Sequence, residues 1–84
     1  MGELPSLTIE EKILMVLVDN LRYDEAFEVP PCLTQEGLSD IIGANRPNIS
    51  RSLGSMMKKG VIRERLAHVK GQRRRKKAYM VQGS

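Results

Sequence analysis

The chain has 84 residues, 40% of them hydrophobic, which is enough for one small domain (1–84, with its core in 8–82). A chain this short buries only about 60–65% of its unfolded surface, which leaves little room for a deep catalytic cleft. The single cysteine, Cys32, excludes an intramolecular disulfide and a cysteine-built zinc site.

The longest apolar run, residues 13–18, falls far below the ~20 residues of a membrane-spanning helix. Residues 1–6 lack the basic-then-apolar pattern of a signal peptide. A reducing, cytoplasmic setting away from the membrane is therefore expected. The net charge of +4 hides a strong asymmetry. Residues 1–45 hold nine acidic and two basic side chains, a balance of −7, whereas residues 46–84 hold twelve basic side chains and one acidic, Glu64, a balance of +11. One face should carry a strongly positive potential, which points to a polyanionic partner.

In chain order, Thr8 and Glu11 form a capping box at the start of a first helix. Ile9, Ile13, Val16, Leu17 and Leu21 follow at helical spacing. Leu14, Met15 and Val18 widen that stripe, so the helix is expected to run from Ile9 to Arg22 or Asp24 and to be covered on most sides. The acidic residues 23–28 end it. Paired prolines, Pro30 and Pro31, make residues 29–33 an extended segment or short edge strand.

Thr34 caps a second helix, 34–42, with Leu33 and Leu38 spaced as a hydrophobic staple. Leu38, Ile41 and Ile42 form its apolar stripe, and Gly43 ends it. Asn45 caps a third helix, 46–59, with Pro47 in its first turn. Ile49, Leu53, Met56 and Met57 give that helix one buried face, and Gly60 stops it. Residues 61–69 read as a strand, 70–75 as a charged turn and 76–82 as a returning strand. The fold class is α+β: three helices and a C-terminal β-hairpin.

The second and third helices, joined by a glycine turn, form a helix-turn-helix. Opposite its buried stripe the third helix presents Asn48, Arg51, Ser55 and Lys58, with Arg46 and Pro47 at the leading end. These side chains are small, hydrogen-bonding or cationic, as a helix entering a DNA major groove requires. Gly54, on the same side, costs roughly 1 kcal/mol of helix propensity against alanine. The hairpin tip brings Lys70, Arg73, Arg74, Arg75, Lys76 and Lys77 together. Such a cluster repels itself unless it is solvated or meets phosphate.

The remaining reactive residue types have structural readings. Cys32 reads as a half-buried inert thiol. His68, with no partner acid, cysteine or second histidine in view, reads as a surface or phosphate-adjacent histidine, and Glu10 and Glu11 serve the cap and helix dipole. No nucleophile–base pair, metal cluster or glycine-rich phosphate loop can be assembled, so an enzyme, a metal and a cofactor are not expected.

Residues 33–53, with the core Arg46-Pro47-Asn48-Ile49-Ser50-Arg51, and the segment Lys58-Lys59-Gly60-Val61-Ile62 resemble the helix-turn-helix of MarR-like winged-helix regulators. The basic stretch from Arg73 to Tyr79 is most similar to winged-helix domains of archaeal regulators. The resemblance covers residues 8–82. It implies a winged helix-turn-helix that binds double-stranded DNA as part of a transcriptional regulator, with helix 46–59 in the major groove and wing 70–77 on phosphates or in the minor groove. Carried over by position, Arg46, Asn48, Ser50 and Arg51 are the groove-facing start of the recognition helix, and Arg73, Arg74 and Arg75 belong to the wing. Thr34 and Gln35, at a helix N-terminus, offer backbone N–H groups to a phosphate. MarR proteins carry long dimerisation helices at both ends. This chain stops just after the wing, which leaves open a domain belonging to a longer protein or a homodimer through the first helix. The alternative function is a winged-helix module that docks protein or RNA in a larger assembly. It would call for apolar, acidic or aromatic groups on the outward face of the third helix, where Arg, Asn and Ser stand instead.

Overall fold

The computed structural model describes residues 7–82. Residues 1–6, on which the signal-peptide reading falls, and residues 83–84 lie outside the described residues.

Helix α1 spans Ile9–Asp19 and opens with the expected capping box. The Thr8 N–H donates to Glu11 Oε1 at 2.8 Å, and the Glu11 N–H donates to Thr8 Oγ1 at 3.1 Å. The donation from Thr8 to the carboxylate holds Glu11 below the usual carboxylate range. The helix ends three residues short of Arg22. Asn20 turns its side-chain amide back to the Val16 carbonyl at 2.7 Å, and the chain tightens into a 3₁₀ turn over Leu21–Tyr23. The expectation of cover on most sides is also corrected. Ile13 and Leu17 are buried, but Met15, Val18 and Leu21 are each about half exposed. Helices and sheet meet α1 along one stripe, and among the described residues nothing covers the rest.

Residues 29–33 are not one extended segment. Strand β1 is only Glu28–Val29, and Pro31–Leu33 form a 3₁₀ turn. Proline suits the first position of such a turn, where its fixed φ fits and its missing N–H is not needed. The turn closes with the Thr34 N–H on the Pro31 carbonyl at 3.0 Å.

Thr34 then caps α2, Gln35–Ile42. Its hydroxyl accepts from the Gly37 N–H at 3.1 Å and donates to the Pro31 carbonyl at 2.7 Å, so one side chain joins the turn to the helix. Replacing Thr34 by alanine should cost about 1–2 kcal/mol in urea denaturation, from the lost cap and the unpaired Gly37 N–H. Leu33 and Leu38 are both buried, as the staple requires, while Ile41 leaves the expected apolar stripe and is largely exposed.

Gly43 ends α2 in the left-handed region at φ 77°, and Ser39 Oγ donates to the Ala44 carbonyl across the turn. Helix α3 spans Arg46–Lys58, with Lys59 at its C-cap. Asn45 occupies the N-cap position, but its side chain makes no capping bond, contrary to expectation. Ile49, Leu53 and Met56 are buried against α1, α2 and the sheet, and Met57 is half-buried beside them.

Strands β2, Ile62–Val69, and β3, Arg75–Val81, form the antiparallel hairpin, with Glu64 opposite Tyr79 and His68 opposite Arg75. Strand β1 adds to the free edge of β2 in parallel, Glu28 beside His68 and Val29 beside Val69, giving the order β1-β2-β3. Two cations of the basic half serve structure here. Arg65 donates to the Tyr23 and Ala26 carbonyls at 3.1 and 2.6 Å, and Arg63 pairs with Asp24. Together they fasten the loop between α1 and β1 to the sheet. No helix among the described residues is long and apolar enough to cross a membrane.

Candidate nucleic-acid interface

Burial of Ile49, Leu53 and Met56 fixes the rotation of α3, and the opposite side faces solvent. Arg46, Pro47, Asn48, Ser50, Arg51 and Lys58 are exposed, and Ser55 is half-buried. The first turn of α3 holds no acidic residue of its own to offset the positive end of the helix dipole. Among the described residues, Arg46, Arg51 and Lys58 form no ion pair.

At the leading end of α3 lies a cleft of about 260 Å³ lined by Thr34, Gln35, Glu36, Arg46, Lys76, Lys77 and Tyr79. The start of α2, the start of α3 and strand β3 each supply a wall, so helix-turn-helix and hairpin share one concave surface. Tyr79, 2% exposed, is the buried side of the cleft, and its hydroxyl accepts from Gln35 Nε2 at 3.4 Å. Burial pushes the Tyr79 phenol above its ordinary range, which keeps it protonated. Lys76 Nζ stands 3.7 Å from Glu36 Oε2, and Lys77 Nζ 3.8 Å from Glu64 Oε1. Both pairs are loose and solvent-exposed, so each lysine can turn to another anion at small cost.

The site residues expected from sequence divide into groups. Arg46, Lys76, Thr34 and Gln35 come together in the cleft. Thr34, however, has its N–H on the Pro31 carbonyl and its hydroxyl engaged twice, so the free backbone donors at this end of α2 narrow to those beyond it. Gln35 commits its side-chain amide to Tyr79. Lys70, Arg73 and Arg74 occupy the turn between β2 and β3, and Arg75 begins β3. All four are exposed, none lines the cleft, and none forms an ion pair among the described residues.

Lys77, expected in the basic wing, lines the cleft, and so do Glu36 and Tyr79, which were not singled out as site residues. For Tyr79 the available signal was its two-residue spacing from Lys77 on a strand, which puts both on one face.

His68 and Cys32 stand apart from this surface. His68 is not without an acid: its Nε2 lies 3.7 Å from Glu28 Oε2, and its ring stacks on Phe27 at 6.1 Å. The parallel pairing of β1 creates that contact between residues distant in sequence. Cys32 is partly buried, and burial pushes its thiol up, which disfavours the reactive thiolate. Among the described residues there is no cluster of three or more His, Cys, Asp or Glu able to hold a metal ion.

A family model described as a Crp-like helix-turn-helix domain matches residues 11–75. Curated proteins and solved structures gave no match. The matched residues begin in α1 and end at the first residue of β3, so they include the whole helix-turn-helix and the hairpin turn.

Proposed function

The chain belongs to the Crp-like helix-turn-helix domain family, a DNA-binding fold, and from that premise we propose that it is the double-stranded-DNA-binding domain of a transcriptional regulator. In this reading α3 enters the major groove. Arg46, Pro47, Asn48, Ser50, Arg51, Ser55 and Lys58 face the bases and flanking phosphates. Lys70, Arg73, Arg74, Arg75 and Lys76 follow the phosphates and reach toward the minor groove, and the first turn of α2, held by Thr34 and Gln35, approaches a phosphate. The carrying observation is the shared cleft, where Arg46 of α3 and Lys76 and Lys77 of β3 line one cavity. A duplex following α3 from that end meets the hairpin without having to turn a corner.

Within the helix-turn-helix class we favour a MarR-like arrangement. The string Arg46-Pro47-Asn48-Ile49-Ser50-Arg51 supports it, as does the Gly60-Val61-Ile62 lead-in to β2. The archaeal affinity rests on the basic run Arg73–Tyr79 alone. A cytoplasmic setting belongs to the same reading, as the compartment in which such a regulator meets its operator.

Selection from random duplexes tests the reading, with single-stranded RNA as competitor. Recovery of a duplex consensus is the expected result. Preference for RNA, or no enrichment, would overturn it. Arg51→Ala should weaken binding to the selected site by about 1–3 kcal/mol and relax preference at one or two base pairs, as removal of a bidentate guanine reader does. Arg51 is exposed one turn into α3 and carries no internal partner among the described residues. Unchanged affinity in a band-shift titration would remove it from the interface.

A further inference from the structure

The one phenylalanine of the chain, Phe27, stands at the surface and is 75% exposed. A large aromatic outside the core is the informative exception to apolar burial. Its ring stacks on that of His68, with centroids 6.1 Å apart and planes 20° from parallel. Glu28 Oε2 lies 3.7 Å from His68 Nε2, so the imidazole is held from two sides. Leu66, 62% exposed, stands two residues before His68 on β2 and therefore on the same face of the sheet.

The register of the hairpin sets what borders these side chains. Leu66 is opposite Lys77 on β3, and His68 is opposite Arg75. Directly opposed residues of an antiparallel pair project to the same face, with Cβ atoms about 5 Å apart. An apolar and aromatic row on β2 and the start of β1 is thus bordered by two exposed cations on β3. Lys77 also lines the cationic cleft, so the two surfaces meet at that side chain, while Phe27, Leu66 and His68 lie outside the cleft. The carboxylates on this face are engaged: Glu28 stands beside His68, and Glu64 Oε1 is 3.8 Å from Lys77 Nζ.

An open ring face beside cations selects the occupant. A nucleobase covers the ring while the phosphates of its strand reach the cations. In a duplex each base is already stacked on its neighbours, so only an unpaired base can lie on the ring. An acidic peptide would answer Arg75 and Lys77 and leave the ring face bare.

We propose that Phe27, stacked on His68, is a platform for an unpaired base of a DNA strand, with Arg75 and Lys77 on the adjoining phosphates. The choice of a nucleic acid rests on the DNA reading above. The platform goes beyond that reading by adding a site for a melted or overhanging strand next to the duplex surface. Every base has a π-face, so the platform accepts any sequence.

Fluorescence anisotropy of the full chain at low salt tests it with three labelled probes: oligothymidine and oligouridine, each of about twelve nucleotides, and a blunt duplex of mixed sequence. The wild-type chain is expected to bind oligothymidine, more weakly than the duplex. Phe27→Ala should weaken the oligothymidine complex about tenfold and leave duplex affinity unchanged, whereas Phe27→Tyr should keep both. Phe27 lies outside the hydrophobic core, so circular dichroism should show an intact fold. The single phenylalanine also gives a direct readout, since its ring-proton NMR signals should move upfield when oligothymidine is added. Duplex binding without oligothymidine binding, or an oligothymidine complex indifferent to Phe27→Ala, would overturn the platform and leave the duplex reading standing. Oligothymidine binding that depends on Phe27, with no duplex binding, would support the platform and overturn the duplex reading. Binding of neither would overturn both. Oligouridine bound more tightly than oligothymidine would overturn the assignment to DNA.

Discussion

Gly37→Ala is expected to destabilise the domain by at least about 3 kcal/mol, at the upper end of overpacking costs. A Cβ at position 37 would fall 1.9 Å from the Pro31 carbonyl oxygen, 2.6 Å from its carbon and 2.8 Å from Cys32 Cα. All three are backbone atoms, so no rotamer change relieves the clash. The Pro31 carbonyl cannot retreat cheaply, because it already accepts from the Thr34 N–H and the Thr34 hydroxyl. The neighbouring Pro30 adds a second fixed φ. The 3₁₀ turn must therefore part from α2, which takes Leu33 out of the core, where it is 1% exposed. For a small domain that is a large share of total stability. Gly54→Ala is the matched control. A methyl group there would have nothing within 4 Å, and the site is a helix interior, so the domain should gain about 1 kcal/mol. Paired urea titrations separate the two. Equal midpoints would mean that the packing of turn against helix is not tight.

The second large effect concerns binding. Replacing Arg73, Arg74 and Arg75 together by alanine is expected to weaken association with every duplex roughly a hundredfold at physiological salt. The slope of log affinity against log salt should fall by about 0.9 for each phosphate that the arginines no longer neutralise. These side chains are exposed at the hairpin turn and the start of β3, outside the hydrophobic core, so folding should be unaffected. Sequence preference should persist, because α3 is untouched. Coinciding salt slopes for the variant and its parent would take the hairpin off the phosphates.

Local signals carried most of the fold. The Thr8–Glu11 box, the Leu33–Leu38 staple and the Ile49, Leu53, Met56 stripe are short-range patterns, and each appears where its spacing puts it. Patterns whose outcome depends on distant chain were not legible. Met15 and Val18 look like core by periodicity, yet whether an apolar residue is covered depends on how much chain is left to cover it. Residues 29–33 looked extended because of their prolines. The partner that makes a strand of Glu28 and Val29 lies 40 residues later, and the carbonyl of Pro31 bonds forward into a 3₁₀ turn. The site followed the same division. The exposed face of α3 could be read from its helical period. The cleft could not, since the Glu36–Lys76 and Gln35–Tyr79 contacts span 40 and 44 residues.

The two-residue strand β1 also bears on how the molecule assembles. The helix-turn-helix and the hairpin are built from neighbours in sequence, whereas the bond from the Lys70 N–H to the Val29 carbonyl joins strands with both helices between them in the chain. Loop-closure entropy makes that rung the late one. Until it closes, the flank of β2 offers a row of unsatisfied amides and carbonyls to any other extended chain nearby. A nascent copy is thus most vulnerable to mispairing in the interval between hairpin formation and the arrival of Val29, and the short rung acts as a sealing stitch.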